Sequence, residues 1–163
     1  MKGLAIGFSQ NSTNLLKRLF KANFVDQIFM ASSSESDKND NDVIETIKIK
    51  EFLADNWHNI DLLIFIGSVS ASVRLITPFL ISKDKDPGVI VLDNNCEKIV
   101  PLIGLHQSKA QNISYQISSL IGGEIINTSH RNIEKDLNLD SFGFQWGWKR
   151  SGNIKDWSNL VIL

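Results

Sequence analysis

The stretch Ile64-Phe65-Ile66-Gly67-Ser68-Val69-Ser70-Ala71-Ser72-Val73-Arg74 carries the most information on the fold. Nearly continuous apolar residues over Asp61–Gly67 predict a buried central strand of a parallel sheet. Gly67 and Ser68 then allow a helix to begin with free backbone N–H groups, an arrangement suited to anions. Arg74, further along the same predicted helix, adds a permanent positive charge whose geometry suits carboxylates.

Short apolar segments alternate with amphipathic segments on both sides of this stretch, which is typical of an α/β protein. We predict a Rossmann-like open, mostly parallel sheet with helices on both faces. The predicted strands are Gly3–Ser9, Val25–Ala31, Asp61–Gly67, Pro87–Asp93, Glu97–Ile103 and Glu124–Thr128. The predicted helices are Ser12–Ala22, Lys50–Asn59, Val69–Leu80 (bent at Pro78) and Ser108–Ile121. Asn11 or Ser12 is the expected N-cap of the first helix. Ala31–Asp42, rich in Ser, Asp and Asn, is interpreted as a mobile loop.

Composition excludes several classes of protein. The chain has 163 residues, 42% hydrophobic residues and a net charge of -1, so it is long enough for a sizeable core and has no basic excess for nucleic acid. The single cysteine, Cys96, rules out an internal disulfide framework, fits a reducing compartment and has no metal-site spacing around it. No apolar run reaches the roughly 18 residues that span a bilayer. We expect a cytoplasmic protein without a metal site, a membrane or a nucleic-acid partner.

The C-terminal part differs in character from the rest. It contains three of the four tryptophans (Trp146, Trp148 and Trp157) and ends in the apolar run Leu160–Leu163. Exposed apolar ends are unusual in soluble chains. We therefore predict an α/β domain over residues 1–130 and a Trp-rich tail over residues 131–163 that leads to a further domain.

A binding site is expected at the carboxyl edge of the sheet, where ligands bind in open parallel sheets. The polar loops expected there are Ser9–Asn14, Gly67–Ser72 and Asp93–Asn95, with Thr128–His130 as a further candidate. The turn Gly104–Ser108 would join them if the strand before it is parallel to its neighbours. We expect Val69 and Val73 to pack on the sheet, which would leave Ser68, Ser72 and Arg74 near the rim.

Each of these candidates also has a purely structural interpretation. Ser9–Asn14 contains ordinary helix-capping residues, and the alternative for Arg74 is a simple surface ion pair with an aspartate. Lys83–Pro87 reads by default as a solvated turn. His106 precedes a predicted helix start, where the positive helix end favours the neutral imidazole of a general base. Its alternative is a loop histidine bonded to the backbone.

The order of several motifs resembles a known family. Val73-Arg74, Thr77-Pro78, Asp86-Pro87 with Val89, Asp93, and Gly104-Leu105-His106 with Ala110 are similar to the pattern of the N-terminal domain of cobalt-precorrin-5A hydrolase, from anaerobic cobalamin biosynthesis. The resemblance covers about Asp61 to Thr128. Two family glycines are replaced by Ser108 and Lys109, and the family asparagine by Gln111. These departures would reshape the pocket or abolish hydrolysis.

The tail shows a second, narrower resemblance. Leu139-Asp140-Ser141-Phe142-Gly143, Trp146-Gly147-Trp148-Lys149-Arg150 and Asp156-Trp157 are similar to the segment after this domain in cyanobacterial proteins fused to a precorrin-3B methyltransferase. The resemblance implies a covalently following corrin-pathway domain. It also implies S-adenosylmethionine as a cofactor only if that methyltransferase domain exists.

The resemblance implies a function in corrin biosynthesis: opening the δ-lactone of cobalt-precorrin-5A with release of acetaldehyde. No protein cofactor is implied, because the cobalt belongs to the anionic tetrapyrrole substrate. His106 would activate water, and Arg74 would bind a carboxylate or stabilise the oxyanion. Asp86 and Asp93 would orient the lysine and the histidine. The expected substrate-binding residues are Gly67, Ser68, Ser70, Ser72, Lys83, Asp86, Asp93 and Gly104.

The sequence leaves two other functions open. The domain would be non-catalytic if it only binds the tetrapyrrole or docks on a fused methyltransferase. It would be a flavodoxin-like flavin binder if Ser9–Asn14 served as a phosphate loop, although that loop lacks the usual glycine.

Overall fold

A computed structural model describes residues 2–31, 44–104 and 110–126. The chain divides into two units, Met1–Asn127 and Thr128–Leu163, and the second lies outside the described residues. The strands are β1 (Gly3–Gly7), β2 (Gln27–Ala31), β3 (Thr46–Ile47), β4 (Leu62–Ile66), β5 (Gly88–Leu92), β6 (Lys98–Ile103) and β7 (Glu124–Ile125). The α-helices are α1 (Thr13–Lys21), α2 (Ile49–Asn56), α3 (Val69–Ile76) and α4 (Ala110–Ile121). Short 3₁₀ helices are Gln10–Ser12, Trp57–Asn59 and Thr77–Phe79.

The strands form one sheet in the order β3-β2-β1-β4-β5-β6-β7. Strands β1 to β5 are parallel to their neighbours, β6 is antiparallel to β5, and β7 is parallel to β6. After β1 the chain first forms β2 and β3 on one flank of β1. It then crosses over and forms β4 on the other flank of β1. The prediction of an open, mostly parallel α/β sheet is confirmed.

Alternate side chains of the central strands enter two separate cores. In β4, Leu62, Ile64 and Ile66 face the core that α1 and α4 cover, while Leu63 and Phe65 face the core that α2 and α3 cover. All five of these side chains are fully buried. A strand covered on both faces needs a continuous apolar sequence, which is why this stretch predicted the architecture.

Helix α3 packs on the sheet with a different face from the predicted one. Ser72 and Ile76 are buried (0% and 2% exposed), whereas Val69 and Val73 are exposed (38% and 41%). The Ser72 hydroxyl donates to the Ser68 carbonyl oxygen at 3.0 Å, so the helix itself satisfies this buried polar group. The expectation that Val69 and Val73 pack on the sheet, with Ser72 at the rim, is wrong.

Helix ends differ from the predictions in small ways. Helix α3 ends at Ile76 and continues as a 3₁₀ turn with Pro78 near its start. Ser12 occupies the N-cap position of α1 but makes no side-chain capping hydrogen bond. The predicted loop Ala31–Asp42 lies, except for Ala31, outside the described residues.

Within residues 2–31, 44–104 and 110–126, no helix has both the length and the apolar character needed to cross a membrane. In that same part of the chain, no three His, Cys, Asp or Glu side chains are grouped so that they could hold a metal ion.

Candidate functional site

The antiparallel course of β6 separates the predicted site residues onto two edges of the sheet. Ile103, the last residue of β6, pairs with Val89 near the start of β5. Gly104 therefore follows at the amino edge of the parallel strands, while Gly67 and Asp93 follow β4 and β5 at the carboxyl edge. The condition for the Gly104–Ser108 turn to join the carboxyl-edge loops, a parallel strand before it, is not met.

At the carboxyl edge, Gly67 is a packing position for an aromatic ring. A Cβ atom on Gly67 would lie 2.2 Å from Cδ2 of Phe8. The Phe8 ring stacks on Phe65 with their centroids 5.5 Å apart, and the Gly67 N–H donates to the Leu92 carbonyl oxygen at 2.8 Å. Sheet pairing and ring contact thus explain this glycine, and its N–H is already used by the protein.

The serines after Gly67 make hydrogen bonds within their own helix start. The Ser68 Oγ accepts from the Ala71 N–H at 3.2 Å, which is an N-cap bond. It also lies 3.4 Å from the Ser70 Oγ. The buried Ser72 hydroxyl donates to the Ser68 carbonyl oxygen. These bonds account for small polar residues here, so their proposed contact with substrate stays a prediction.

Asp93 organises the turn that joins β5 to β6. Its carboxylate Oδ1 accepts from the Lys98 N–H at 2.8 Å, and its carbonyl oxygen accepts from the Cys96 N–H at 3.1 Å. Cys96 has a positive φ of 62° inside this turn. Burial, and then the negative charge of Asp93, raise the pKa of the Cys96 thiol, while Arg18 opposes the shift.

At the amino edge, Asp86 is held by groups from two segments. Its Oδ1 accepts from the indole Nε1–H of Trp57 at 3.2 Å. Both carboxylate oxygens accept from the Ile81 N–H, at 3.0 and 3.1 Å. The Trp57 ring is 2% exposed and lies 5.8 Å from the Phe79 ring, centroid to centroid. The contacts of Asp86 are thus with Trp57 and Ile81, and orientation of the Lys83 ammonium by Asp86 stays a prediction.

Arg74, in the last turn of α3, and Lys83, between α3 and β5, are exposed cations. In the part of the chain that the structure describes, neither makes a hydrogen bond or an ion pair, so the surface ion pair considered for Arg74 is not found there. Three exposed apolar residues are close to these cations in sequence. They are Val73, Leu80 and Ile81, which are 41%, 43% and 53% exposed. This segment, residues 73–83, combines apolar surface with two cations that have no partner among the described residues.

Gly104 follows β6 directly and has a φ of 74°, a backbone conformation that favours glycine. His106, with Leu105 and residues 107–109, lies outside the described residues, so its predicted role is not tested. The next described residue is Ala110, the first residue of α4.

Comparison with known proteins shows which family this part of the chain resembles. Residues 51–131 match the model of the family described as cobalamin synthesis G N-terminal. This part of the chain is therefore similar to that family. The match includes α3, the segment 73–83, both strands of the β5–β6 hairpin and α4.

Curated relatives agree with the family match. The cobalt-precorrin-5A hydrolase of Priestia megaterium is 25% identical over 150 residues, which cover 90% of this chain and 40% of that hydrolase. The cobalt-precorrin-5A hydrolase of Salmonella typhimurium is 28% identical over 83 residues, which cover 51% of this chain and 24% of that hydrolase. The chain therefore spans less than half the length of the curated relatives that it matches.

A solved structure shows the same fold. It is the crystal structure of a cobalamin biosynthesis protein G homologue from Sulfolobus solfataricus, with a TM-score of 0.57 and 17% sequence identity. The alignment covers 78% of this chain and 36% of the crystallised one.

Most elements of the resemblance lie at one edge of the sheet. Thr77-Pro78, Asp86-Pro87, Gly104 and Ala110 all lie at the ends of segments that meet the amino edge of β4 and β5 or the antiparallel end of β6. Asp93 lies at the other edge. The candidate site is therefore at the amino edge, opposite the edge that the parallel-sheet rule predicts.

One polar residue was not predicted as a site residue. Gln111, in the first turn of α4, is only 5% exposed, and its Nε2 has no hydrogen-bond partner among the described residues. The helical spacing of the buried residues Ala110, Ser114 and Ile117 placed Gln111 next to the buried face, which was the signal in the sequence.

Proposed function

We propose that this chain is the amino-terminal part of a cobalt-precorrin-5A hydrolase. It would bind the corrinoid precursor while its δ-lactone is opened by water and acetaldehyde is released. The observation that carries this proposal is the alignment with the Priestia megaterium hydrolase over 90% of this chain, together with the family match over residues 51–131.

The segment 73–83 supports binding of such a substrate. A corrin precursor presents a flat, largely apolar ring with carboxylates around its rim. Exposed Val73, Leu80 and Ile81 suit the ring. Arg74 and Lys83, which have no partner among the described residues, suit the carboxylates, because Arg binds carboxylates in a bidentate way. Nothing within the described part of the chain competes for these cations.

In the proposed reaction, His106 removes a proton from water, which attacks the lactone carbonyl carbon. The tetrahedral intermediate expels the ring oxygen, which takes a proton and leaves a carboxylate and a hydroxyl group. Loss of the fragment as acetaldehyde follows. The exposure of Arg74 favours carboxylate binding as its role, because an oxyanion donor gains most of its strength in a site that excludes water.

The test is anaerobic incubation of the purified chain with cobalt-precorrin-5A, with acetaldehyde release and the macrocycle absorption spectrum followed together. We expect acetaldehyde above the protein-free control, and its loss in His106→Ala. The matched control is His58→Ala, since His58 is an exposed histidine on the 3₁₀ helix after α2, and it should leave turnover unchanged.

The other outcomes separate the remaining functions. Full turnover in His106→Ala would exclude this histidine as the base. A spectral shift without acetaldehyde would favour a non-catalytic tetrapyrrole-binding domain. The fused methyltransferase domain and the cytoplasmic location stay predictions from the sequence.

A further inference from the structure

The buried side chain of Gln111 has an unused hydrogen-bond donor. Its Nε2 atom is inaccessible to solvent and has no partner in the described part of the chain. A buried amide without a hydrogen bond is costly, because the group has given up its bonds to water. Such exceptions in a folded protein call for a specific explanation.

The other buried polar side chains of the described residues all have partners. Ser12 lies 3.4 Å from the Ser9 hydroxyl, Ser72 donates to the Ser68 carbonyl oxygen, and Ser114 donates to the Ala110 carbonyl oxygen at 2.8 Å. Within this part of the chain, Gln111 is therefore the exception among the buried polar residues. A general looseness of polar packing does not explain it.

The position of Gln111 adds a second, independent feature. It is the second residue of α4, which runs over Ala110–Ile121. The first N–H groups of a helix have no acceptor within it, and this end carries a partial positive charge. The Cα–Cβ bonds of a helix tilt toward its N-terminus, so the Gln111 side chain leaves the helix in the direction of these donors.

These donors lie at the amino edge of the sheet. Helix α4 follows β6, whose last residue Ile103 pairs with Val89 at the start of β5. The edge is the one at which Asp86 is anchored, and it is opposite the crevice between β1 and β4. The Gln111 Nε2, which has no partner in the described part of the chain, and the first N–H groups of α4 are donors, so a ligand for them must supply acceptor oxygens, and the positive helix end selects a negative charge.

We propose that the N-terminus of α4 and the Gln111 amide bind one carboxylate of the substrate. The carboxylate class rests on the proposed function, because corrin precursors carry acetate and propionate side chains. The Nε2–H₂ of Gln111 donates to one oxygen of this group, and backbone N–H groups of the first turn donate to the other. Gln111 is a binding residue that anchors the macrocycle.

The experiment uses uroporphyrin, a porphyrin with a carboxylate on every side chain, as the probe. In ¹H–¹⁵N NMR spectra of the unaltered chain, we expect the side-chain amide of Gln111 and the first backbone amides of α4 to shift. Succinate at high concentration should shift the same signals, and neutral succinamide should not. Inorganic phosphate is added in a separate titration to separate carboxylate from phosphate recognition.

Variants measure what the amide contributes. Gln111→Leu should weaken uroporphyrin binding about tenfold or more, the effect of one hydrogen bond to a charged group. Without ligand it should be at least as thermally stable as the unaltered chain, because an unpaired buried amide has been removed. Gln116→Leu makes the same chemical change at an exposed position of the same helix, and binding should not change.

Three results would contradict the proposal. Unshifted Gln111 signals with both uroporphyrin and succinate would overturn it, even if the variant fails to fold. Equal affinity of Gln111→Leu and the unaltered chain would also overturn it, as would a response to phosphate alone. Acetaldehyde release by the unaltered chain is measured separately. The proposal for the carboxylate site can therefore be wrong while the proposed function holds, and the proposed function can be wrong while the carboxylate site is confirmed.

Discussion

Trp57 and Asp86 are joined by a hydrogen bond of 3.2 Å from the indole Nε1–H to the carboxylate Oδ1, although they lie 29 residues apart in sequence. The same carboxylate accepts from the Ile81 N–H. One side chain thus links the end of α2 to the segment that leads from α3 into β5. The bonded residues Ile81 and Asp86 lie on either side of Lys83, so this link fixes the course of the chain at one end of the proposed binding surface.

Asp86→Ala should lower the free energy of unfolding by about 1–3 kcal/mol, because it leaves the buried indole N–H of Trp57 without an acceptor. Urea unfolding followed by tryptophan fluorescence measures the change. Asp55→Ala removes a carboxylate from an exposed position of α2, and its effect should stay within about 0.5 kcal/mol. Equal stability of Asp86→Ala and the unaltered chain would show that the link contributes nothing.

Asp86→Asn separates the structural role of Asp86 from a role in the reaction. Asparagine keeps an oxygen acceptor for the Trp57 and Ile81 donors but removes the negative charge. If Asp86 acts only as an anchor, most of the stability and all of the turnover should remain. Lost turnover with stability retained would instead assign its charge to the orientation of Lys83 or of the substrate.

Gly67→Ala should destabilise the fold by about 1–3 kcal/mol through overpacking, because the new Cβ would lie 2.2 Å from a ring carbon of Phe8. In Phe8→Ala the ring is absent, so adding Gly67→Ala to that background should cost much less. Urea unfolding of the two single variants and the double variant measures this coupling. Additive effects would contradict the contact.

The direction of β6 was within reach of the sequence. Strands β5 and β6 are separated only by residues 93–97, and a parallel crossover needs a dozen or more residues. Between the predicted strands Pro87–Asp93 and Glu97–Ile103, the connection is too short for a parallel crossover, so an antiparallel hairpin was expected. Applied to these two strands, the rule places the Gly104 turn at the amino edge from the sequence alone.

The orientation of α3 was harder to predict. Hydrophobicity favours Val69 and Val73 as the buried pair over Ser72, and the spacing of four residues fits both Val69 with Val73 and Ser72 with Ile76. The hydroxyl of Ser72 is bonded to the Ser68 carbonyl oxygen, so its burial costs little, and packing against the sheet decided the face. The unpaired Nε2 of Gln111 depends in the same way on the tertiary surroundings of α4.

Arg74→Met should leave the free energy of unfolding unchanged within about 0.5 kcal/mol, since this exposed guanidinium has no partner among the described residues. It should weaken uroporphyrin binding about three- to tenfold, and added salt should reduce the difference. Fluorescence titration measures the affinity. Lys50→Met removes an exposed cation from α2 and should not affect binding, while an equal loss in both variants would point to net charge alone.

Cys96 should react slowly with iodoacetamide, because the thiolate is the reactive form and both burial and the Asp93 charge raise the thiol pKa. Asp93→Asn keeps an acceptor for the Lys98 N–H but removes the charge, so the pH profile of alkylation should move to lower pH without reaching that of an unfolded cysteine. The unfolded chain releases the thiol proton at lower pH than the folded chain, so this group lowers stability as pH rises above the ordinary thiol pKa.

Cys96→Ala should remove that part of the alkaline loss of stability. Alkylation rates and urea unfolding across the alkaline range measure both effects, and an unchanged profile in Asp93→Asn would mean that burial alone sets the pKa.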